Sequence, residues 1–279
     1  MTNFHRSWLQ RRHLVCAAAL LLALTAPAAA EVDYDALRQL APEERLRQTM
    51  GFFSGLGSRV VGYPGAEQAA LHIHRRFRHI GLHDITFHKY DVTVPVDHSG
   101  TLVVSGGPSV RLHGLWPNLV RTPTLPDGGI DGRLVWGGKG EFEDLDGRIV
   151  AGSVVVLDFN SGDNWLNSAY LGAAAVVFIE PDSTVYLEGE RKFLTMPLDV
   201  PRFWVSKNDG RALRQSIDRG EGIRQAHLEY RMDWERQPAW NVMGMIPGYD
   251  PLLKDDVIVL ESYYDAMSVV PSLAPGAEQ

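Results

Sequence analysis

The stretch that most constrains the fold lies in residues 241–279. Two apolar runs, residues 242–246 and 257–260, flank a segment rich in Pro, Gly and Asp, which is typical of a strand, a turn and a second strand. The second run leads into Glu-Ser-Tyr-Tyr-Asp at residues 261–265. Because α/β sheets place their chemistry where buried strands end, the sequence predicts an α/β fold with a candidate site at these polar residues.

These motifs resemble the start of the catalytic domain of metallopeptidase family 28, the secreted zinc aminopeptidase and glutamate-carboxypeptidase group. In that family N-V-I-G-x-I-P-G leads through a turn into V-V-x-x-x-H-Y-D-S, and P-G-A-x-D-N follows. The corresponding letters here are N-V-M-G-M-I-P-G, V-I-V-L-E-S-Y-Y-D-A and P-G-A-E-Q. The resemblance implies a zinc-dependent hydrolase of peptides with a three-layer α/β/α domain, of which we expect this chain to hold the N-terminal part.

The metal-ligand positions of the family are changed in this chain. By resemblance, Tyr263 takes the place of a zinc-binding His, Asp265 that of the Asp that orients it, and Gln279 that of the Asp that bridges two zinc ions. A neutral phenol replaces imidazole poorly, and a neutral amide lacks the charge that holds two cations about 3.5–4 Å apart. We therefore expect no catalytic residue and no bound zinc in this chain. We expect Glu261, Tyr263, Asp265, Glu278 and Gln279 to share one pocket.

Residues 1–30 have the three-part pattern of a secretory signal peptide. Three arginines precede an apolar core at residues 14–26, and small residues end the segment. An uncleaved membrane anchor and a twin-arginine signal are the alternatives. The only cysteine, Cys16, lies in this segment, so the exported chain has neither disulfides nor cysteine ligands. A formal charge of -7 without a basic run argues against a nucleic-acid partner, and we expect a periplasmic or extracellular protein.

A second match to the same family precedes the β-rich part of the chain. Residues 42–53 are predicted to form an amphipathic helix, and a second helix is predicted to end at Gly81. The letters G-S-R-V-V-G-Y-P-G at residues 57–65 and the ending F-R-H-I-G-L resemble the start of family 28 chains. His72 and His74 face apart on this helix beside arginines, which favours a solvated face over a metal site.

The middle of the chain, residues 92–230, is rich in short β runs. A strand is predicted at residues 85–94, and further short β runs follow at residues 102–104, 110–112, 133–136, 153–159, 173–179 and 200–205. Helices are predicted at residues 164–171 and 206–217, and residues 231–239 are interpreted as a polar linker. The letters G-R-L-V-W-G-G-K-G-E-F-E-D-L, V-A-G-S-V-V-V-L-D-F, A-Y-L-G-A-A-A-V-V-F-I and V-P-R-F-W-V-S-K-N-D-G resemble a protease-associated domain. That resemblance implies a lid or docking role toward a peptide or protein.

The predicted organisation is therefore a signal peptide (1–30), the start of a peptidase-like domain (31–91), a protease-associated-like insert (92–230) and a return to the peptidase-like domain (231–279). The function we expect is that of an exported family 28-like protein whose catalysis is impaired or absent. One alternative is an active zinc aminopeptidase or carboxypeptidase that residues beyond this chain complete. Another is a non-enzymatic extracytoplasmic module that binds protein, as part of a membrane-associated assembly.

Overall fold

The computed structural model describes residues 33–118, 120–193, 197–218 and 224–274. The described residues divide into two compact units, one up to residue 48 and the other from residue 49 onward. The predicted signal peptide, Glu278 and Gln279 lie outside the described residues.

The described part of the chain begins with three helices, and their starts follow from the sequence. They are α1 (Tyr34–Leu40), α2 (Glu43–Ser54) and α3 (Pro64–His79). The Asp33 carboxylate caps α1 by accepting hydrogen bonds from two backbone N–H groups at 2.9–3.0 Å. Pro64 opens α3, where its missing N–H costs nothing, and α3 buries its small-residue face. In the described ranges no helix has both the length and the apolar character needed to cross a membrane.

Within the described residues, seven strands form one closed, mixed sheet, which confirms the α/β class. They are β1 (His83–Val104), β2 (Ser109–Gly114), β3 (Ile130–Trp136), β4 (Val154–Asp158), β5 (Ala175–Ile179), β6 (Arg202–Val205) and β7 (Gln225–Met245). Their order around the barrel is β1-β2-β6-β5-β4-β3-β7. Strands β3 to β6 pair in parallel, and the other neighbours pair antiparallel.

Four further helices are described between the strands: α4 (Phe142–Leu145), α5 (Trp165–Tyr170), α6 (Tyr186–Phe193) and α7 (Lys207–Asp218). Side chains from all seven strands fill the barrel interior, among them Leu102, Leu112, Val177, Phe203 and Leu228. The alternate residues of β4 and β5 pack outward against α5, with Trp165 fully buried. Both faces of the parallel strands are thus covered, which explains their unbroken apolar sequence.

Strands β1 and β7 form a long antiparallel ribbon, paired from His83 opposite Met245 to Val104 opposite Ala226. The interpretation of residues 231–239 as a linker is wrong, because they lie inside β7. Their polar composition reflects alternation: in the barrel half of β7, Tyr230 and Met232 point inward while their neighbours face solvent.

The predicted strand at residues 257–260 is not formed. These residues have no regular secondary structure and pair with no neighbour in the described structure, and their side chains are 74–93% exposed. A strand exists through hydrogen bonds to an adjacent strand, so an apolar run alone does not make one.

Candidate functional site

The predicted site residues that the structure describes lie on an exposed segment without regular secondary structure. Glu261 and Asp265 are exposed, and the Tyr263 side chain is 95% exposed. Because Glu278 and Gln279 lie outside the described residues, the expected five-residue pocket stays a prediction.

The motif loop at residues 57–65 contacts the segment that follows Tyr263. The buried Arg59 guanidinium donates a hydrogen bond to the Tyr264 carbonyl oxygen. The Arg59 backbone N–H donates to the Ala274 carbonyl at 3.0 Å, and its carbonyl accepts from the Ala266 N–H at 3.1 Å. The Ser58 hydroxyl donates to the Pro271 carbonyl at 2.5 Å. Two motifs about 200 residues apart therefore meet through Ser58 and Arg59.

Two groups at this contact have shifted pKa values. Burial lowers the pKa of Arg59, and the nearby Asp265 carboxylate opposes that shift. Burial raises the pKa of Tyr264 to about 12, and Asp265 adds to this effect. The Tyr264 hydroxyl donates to the Trp240 carbonyl on β7. Tyr264 is thus a neutral anchor that holds the segment against the ribbon.

A second anchor joins this segment to the barrel rim. The Trp116 N–H donates to the Val269 carbonyl at 2.7 Å, and Val270 is buried in the outer core. His113 Nδ1 lies 2.9 Å from the Ser272 hydroxyl. Residues 264–274 are therefore fixed at both ends, whereas the apolar run before them is not.

A group of buried polar side chains lies beneath His113. The Asp97 carboxylate is buried, with Oδ2 3.8 Å from His113 Nδ1 and no hydrogen bond to that oxygen. The Tyr63 hydroxyl accepts from the Asp97 N–H at 2.9 Å, and the Tyr230 hydroxyl accepts from the Gly114 N–H at 2.6 Å. Burial lowers the pKa of His113, with the Asp97 carboxylate opposing it. Ser272 and Asp97 approach the same ring nitrogen, so this group is not a Ser-His-Asp triad.

The histidines of α3 pack on aromatic rings, so the predicted solvated face is wrong for two of them. The His72 ring stacks on Phe52 with centroids 3.9 Å apart, and the His74 ring stacks on Phe87 at 4.6 Å. Burial lowers the pKa of His72, helped by neighbouring arginines. Stacking holds these imidazoles in place without a cation.

The described residues do not fit the zinc that the family resemblance implies. Tyr263 is directed to solvent, and Asp265 lies near the Arg59 guanidinium, a cation that competes with a metal. Within residues 33–118, 120–193, 197–218 and 224–274, no group of three His, Cys, Asp or Glu side chains is arranged to hold an ion.

Comparison with solved structures adds a fold-level likeness. The chain is similar to solved peptidase structures. An aminopeptidase from Aneurinibacillus sp. strain AM-1 is 22% identical to this chain, with a TM-score of 0.43. The matched region covers 84% of this chain and 54% of the aminopeptidase chain. A Peptidase M28 precursor from Shewanella amazonensis SB2B is 13% identical to this chain, with a TM-score of 0.48. The matched region covers 72% of this chain and 50% of the precursor chain. This chain thus spans about half the length of either structure.

Other comparisons give no match. No protein-family model matches the sequence. No curated protein matches it either.

Sequence reasoning missed the residues that organise this region, namely Arg59, Tyr264, His113 and Ser272. Arg59 lies in the motif at residues 57–65, but the sequence alone does not show that its side chain is buried. His113 and Ser272 belong to no motif, and only the folded chain brings them together.

Proposed function

We propose that this chain is an exported, family 28-like peptidase module with a protease-associated domain, and that its catalytic capacity is impaired. The contact through Ser58 and Arg59 carries the family part of this proposal. Two segments that resemble the family independently are joined by buried hydrogen bonds, as expected if they belong to one ancestral domain.

The protease-associated part of the proposal rests on the barrel. The chain enters the barrel along β1 and leaves along β7, and these two strands pair side by side over their whole length. A single ribbon that carries both connections is what an inserted domain needs, because its host then keeps one attachment point. We assign residues 92–230 to this insert and a lid or docking role toward peptide or protein.

The impairment follows from the chemistry of Tyr263 and Gln279. Neither side chain supplies the ligand that the matching family position requires. Export to the periplasm or the extracellular space rests on the signal-like pattern of residues 1–30.

The proposal is tested on residues 31–279 by measuring bound zinc and the hydrolysis of amino-acid anilides. The variants are Tyr263→His, Gln279→Asp and their combination. Tyr249→His is the matched control, since Tyr249 is equally exposed at 91% but lies outside the ligand motif. We expect substoichiometric zinc and no turnover in the unchanged chain and the control. Stoichiometric zinc with turnover in the unchanged chain would refute the impairment.

The insert is tested separately by limited proteolysis. We expect cleavage in the exposed residues 246–260 first and a resistant fragment that contains the barrel. Early cleavage within the barrel strands would contradict the assignment of one insert.

A further inference from the structure

The outer surface of the barrel carries an open groove of about 710 Å³ beside α4. Leu145 and Val150, both buried, line it. Three large apolar side chains that line it stay exposed to solvent, Phe142 at 60%, Ile149 at 57% and Leu171 at 41%. Single exposed apolar residues are ordinary, but several that line one concavity are typical of an interaction site.

Hydrogen bonds hold the walls of this groove in shape. The Gly152 N–H donates to the Gly172 carbonyl at 2.8 Å, which ties the turn before β4 to the turn before β5. The Ser153 hydroxyl donates to the Ile149 carbonyl at 2.5 Å. Because this surface is already ordered, a ligand that binds it does not have to order it first, and that favours affinity.

The charges that line the groove are unbalanced. In the described structure its lining contains two carboxylates, Glu143 and Asp146, and one guanidinium, Arg148. The Arg148 Nε donates to the Asp144 carbonyl oxygen at 2.7 Å, which fixes this guanidinium against α4. The lining therefore has a net negative charge, and a cationic ligand complements it.

The open shape of the groove decides which kind of ligand fits. Small molecules bind in pockets that bury about 70–90% of their surface, whereas this groove covers a ligand from one side only. An extended peptide suits such a surface, because alternate side chains enter the groove while the others stay hydrated.

We propose that the groove binds an extended segment of a partner protein in which large apolar side chains are flanked by lysine or arginine. The apolar side chains contact the three exposed apolar residues, and the cations lie near Glu143 and Asp146. The proposal makes the docking role of the insert specific and rests on that part of the proposed function. It needs neither zinc nor a complete peptidase domain.

Three peptides blocked at both ends serve as probes. The first is Lys-Lys-Leu-Ser-Phe-Lys-Lys, the second has glutamates in place of the lysines, and the third has serines in place of Leu and Phe. Binding is measured by two-dimensional NMR on ¹⁵N-labelled residues 31–279, with the amide signals of Gly147, Ile149 and Leu171 as reporters.

We expect saturable shifts of these reporters with the lysine peptide. The serine peptide should bind about tenfold more weakly or worse, because it has no apolar side chain to bury. The glutamate peptide should bind about threefold more weakly or worse, because its charges repel the carboxylates. The double variant Glu143→Gln, Asp146→Asn should lose this preference for lysine over glutamate.

Ile149→Ser should weaken binding of the lysine peptide by about fivefold or more, since it removes an apolar contact from the groove. Val185→Ser is the matched control. Val185 is also β-branched and is exposed at 65%, but it does not line the groove, so affinity should be unchanged. Both substituted side chains are exposed, so neither variant is expected to unfold the protein.

The proposal is overturned if no peptide gives saturable shifts, if the lysine and glutamate peptides bind the unchanged chain equally, or if Ile149→Ser binds as before. Shifts of the same reporters with protein concentration alone would assign the groove to a second copy, and shifts with phosphatidylcholine vesicles alone would assign it to a membrane. Either result also overturns the proposal. Zinc content and the resistant barrel fragment are measured separately, so failure of this groove is distinguishable from failure of the proposed function.

Discussion

Glu188→Gln should destabilise the protein because it removes the counter-charge of a fully buried lysine. The Lys192 ammonium has no exposed surface and donates to Glu188 Oε2 at 3.1 Å and to the Gly162 carbonyl at 2.8 Å. The rings of Phe159 and Phe178 lie 5.2 and 5.6 Å away. A glutamine at position 188 leaves the ammonium with dipoles, ring faces and the Asp163 carboxylate, which forms no direct ion pair with it in the described structure.

The magnitude follows from the geometry. Two unit charges 3.1 Å apart attract by about 5 kcal/mol at an effective dielectric constant of about 20. Glu188 is partly exposed, and the glutamine oxygen still accepts hydrogen bonds, so the net loss is smaller. We expect the free energy of unfolding to fall by about 2–3 kcal/mol.

Urea unfolding followed by tryptophan fluorescence measures this loss. Trp165 reports the same region, since its indole N–H donates to the Arg191 carbonyl at 2.9 Å. A double-mutant cycle with Lys192→Met should give a coupling energy of about 2 kcal/mol, because removing both charges leaves no unpaired ion. Asp218→Asn is the control, since it breaks an exposed pair of the same i,i+4 spacing and should cost less than about 0.5 kcal/mol.

The pair also predicts a pH dependence. Burial raises the pKa of Glu188, but hydrogen bonds from Lys192 and the Gly162 N–H outweigh it, so the net pKa is lowered from 4.5. Its contribution is present above pH 4.5 and is lost as the pH falls through the lower folded value. Additive single variants, or a Glu188→Gln loss below about 0.5 kcal/mol, would refute the reasoning.

Two further predictions concern the anchored segment. Burial lowers the pKa of His113 below 6.5 although Asp97 opposes it, so the unfolded chain takes up the proton first and stability falls as the pH drops below 6.5. The His113→Gln variant should lose this slope in unfolding measured from pH 5 to 8; an identical slope would contradict it. Gly65→Ala should cost about 2 kcal/mol or more and speed proteolysis at residues 264–274, because a Cβ would lie 2.2 Å from the Ser58 carbonyl oxygen. Gly51→Ala, in open space on α2, is its control and should be neutral or stabilising.

Local sequence signals were sufficient for four of the seven described helices and for most strands; α1, α4 and α6 were not predicted. Pro64 and Gly81 mark the two ends of α3. Pro64 suits the first turn of a helix, and Gly81 adopts the left-handed conformation that stops one, with a φ of 80°. The apolar runs at residues 153–159 and 173–179 contain β4 and β5. These features depend on backbone preferences and on alternation, which neighbouring residues encode.

The sequence did not show which segments pair as neighbouring strands. Residues 231–239 look like a linker by composition, yet β1 supplies their hydrogen bonds and makes them a strand. Residues 257–260 look like a strand, yet no described neighbour pairs with them. The difference lies in long-range contacts, which local propensity does not contain.

The sequence by itself determined the α/β class, the family resemblance and the altered ligand positions at Tyr263 and Gln279, since these depend on residue identity. The tertiary structure alone decided that the strands close into a barrel, that Arg59 joins the two motifs, and that Lys192 and Arg202 are buried. Burial of a cation depends on which distant groups surround it, and folding brings those groups together across tens to hundreds of residues.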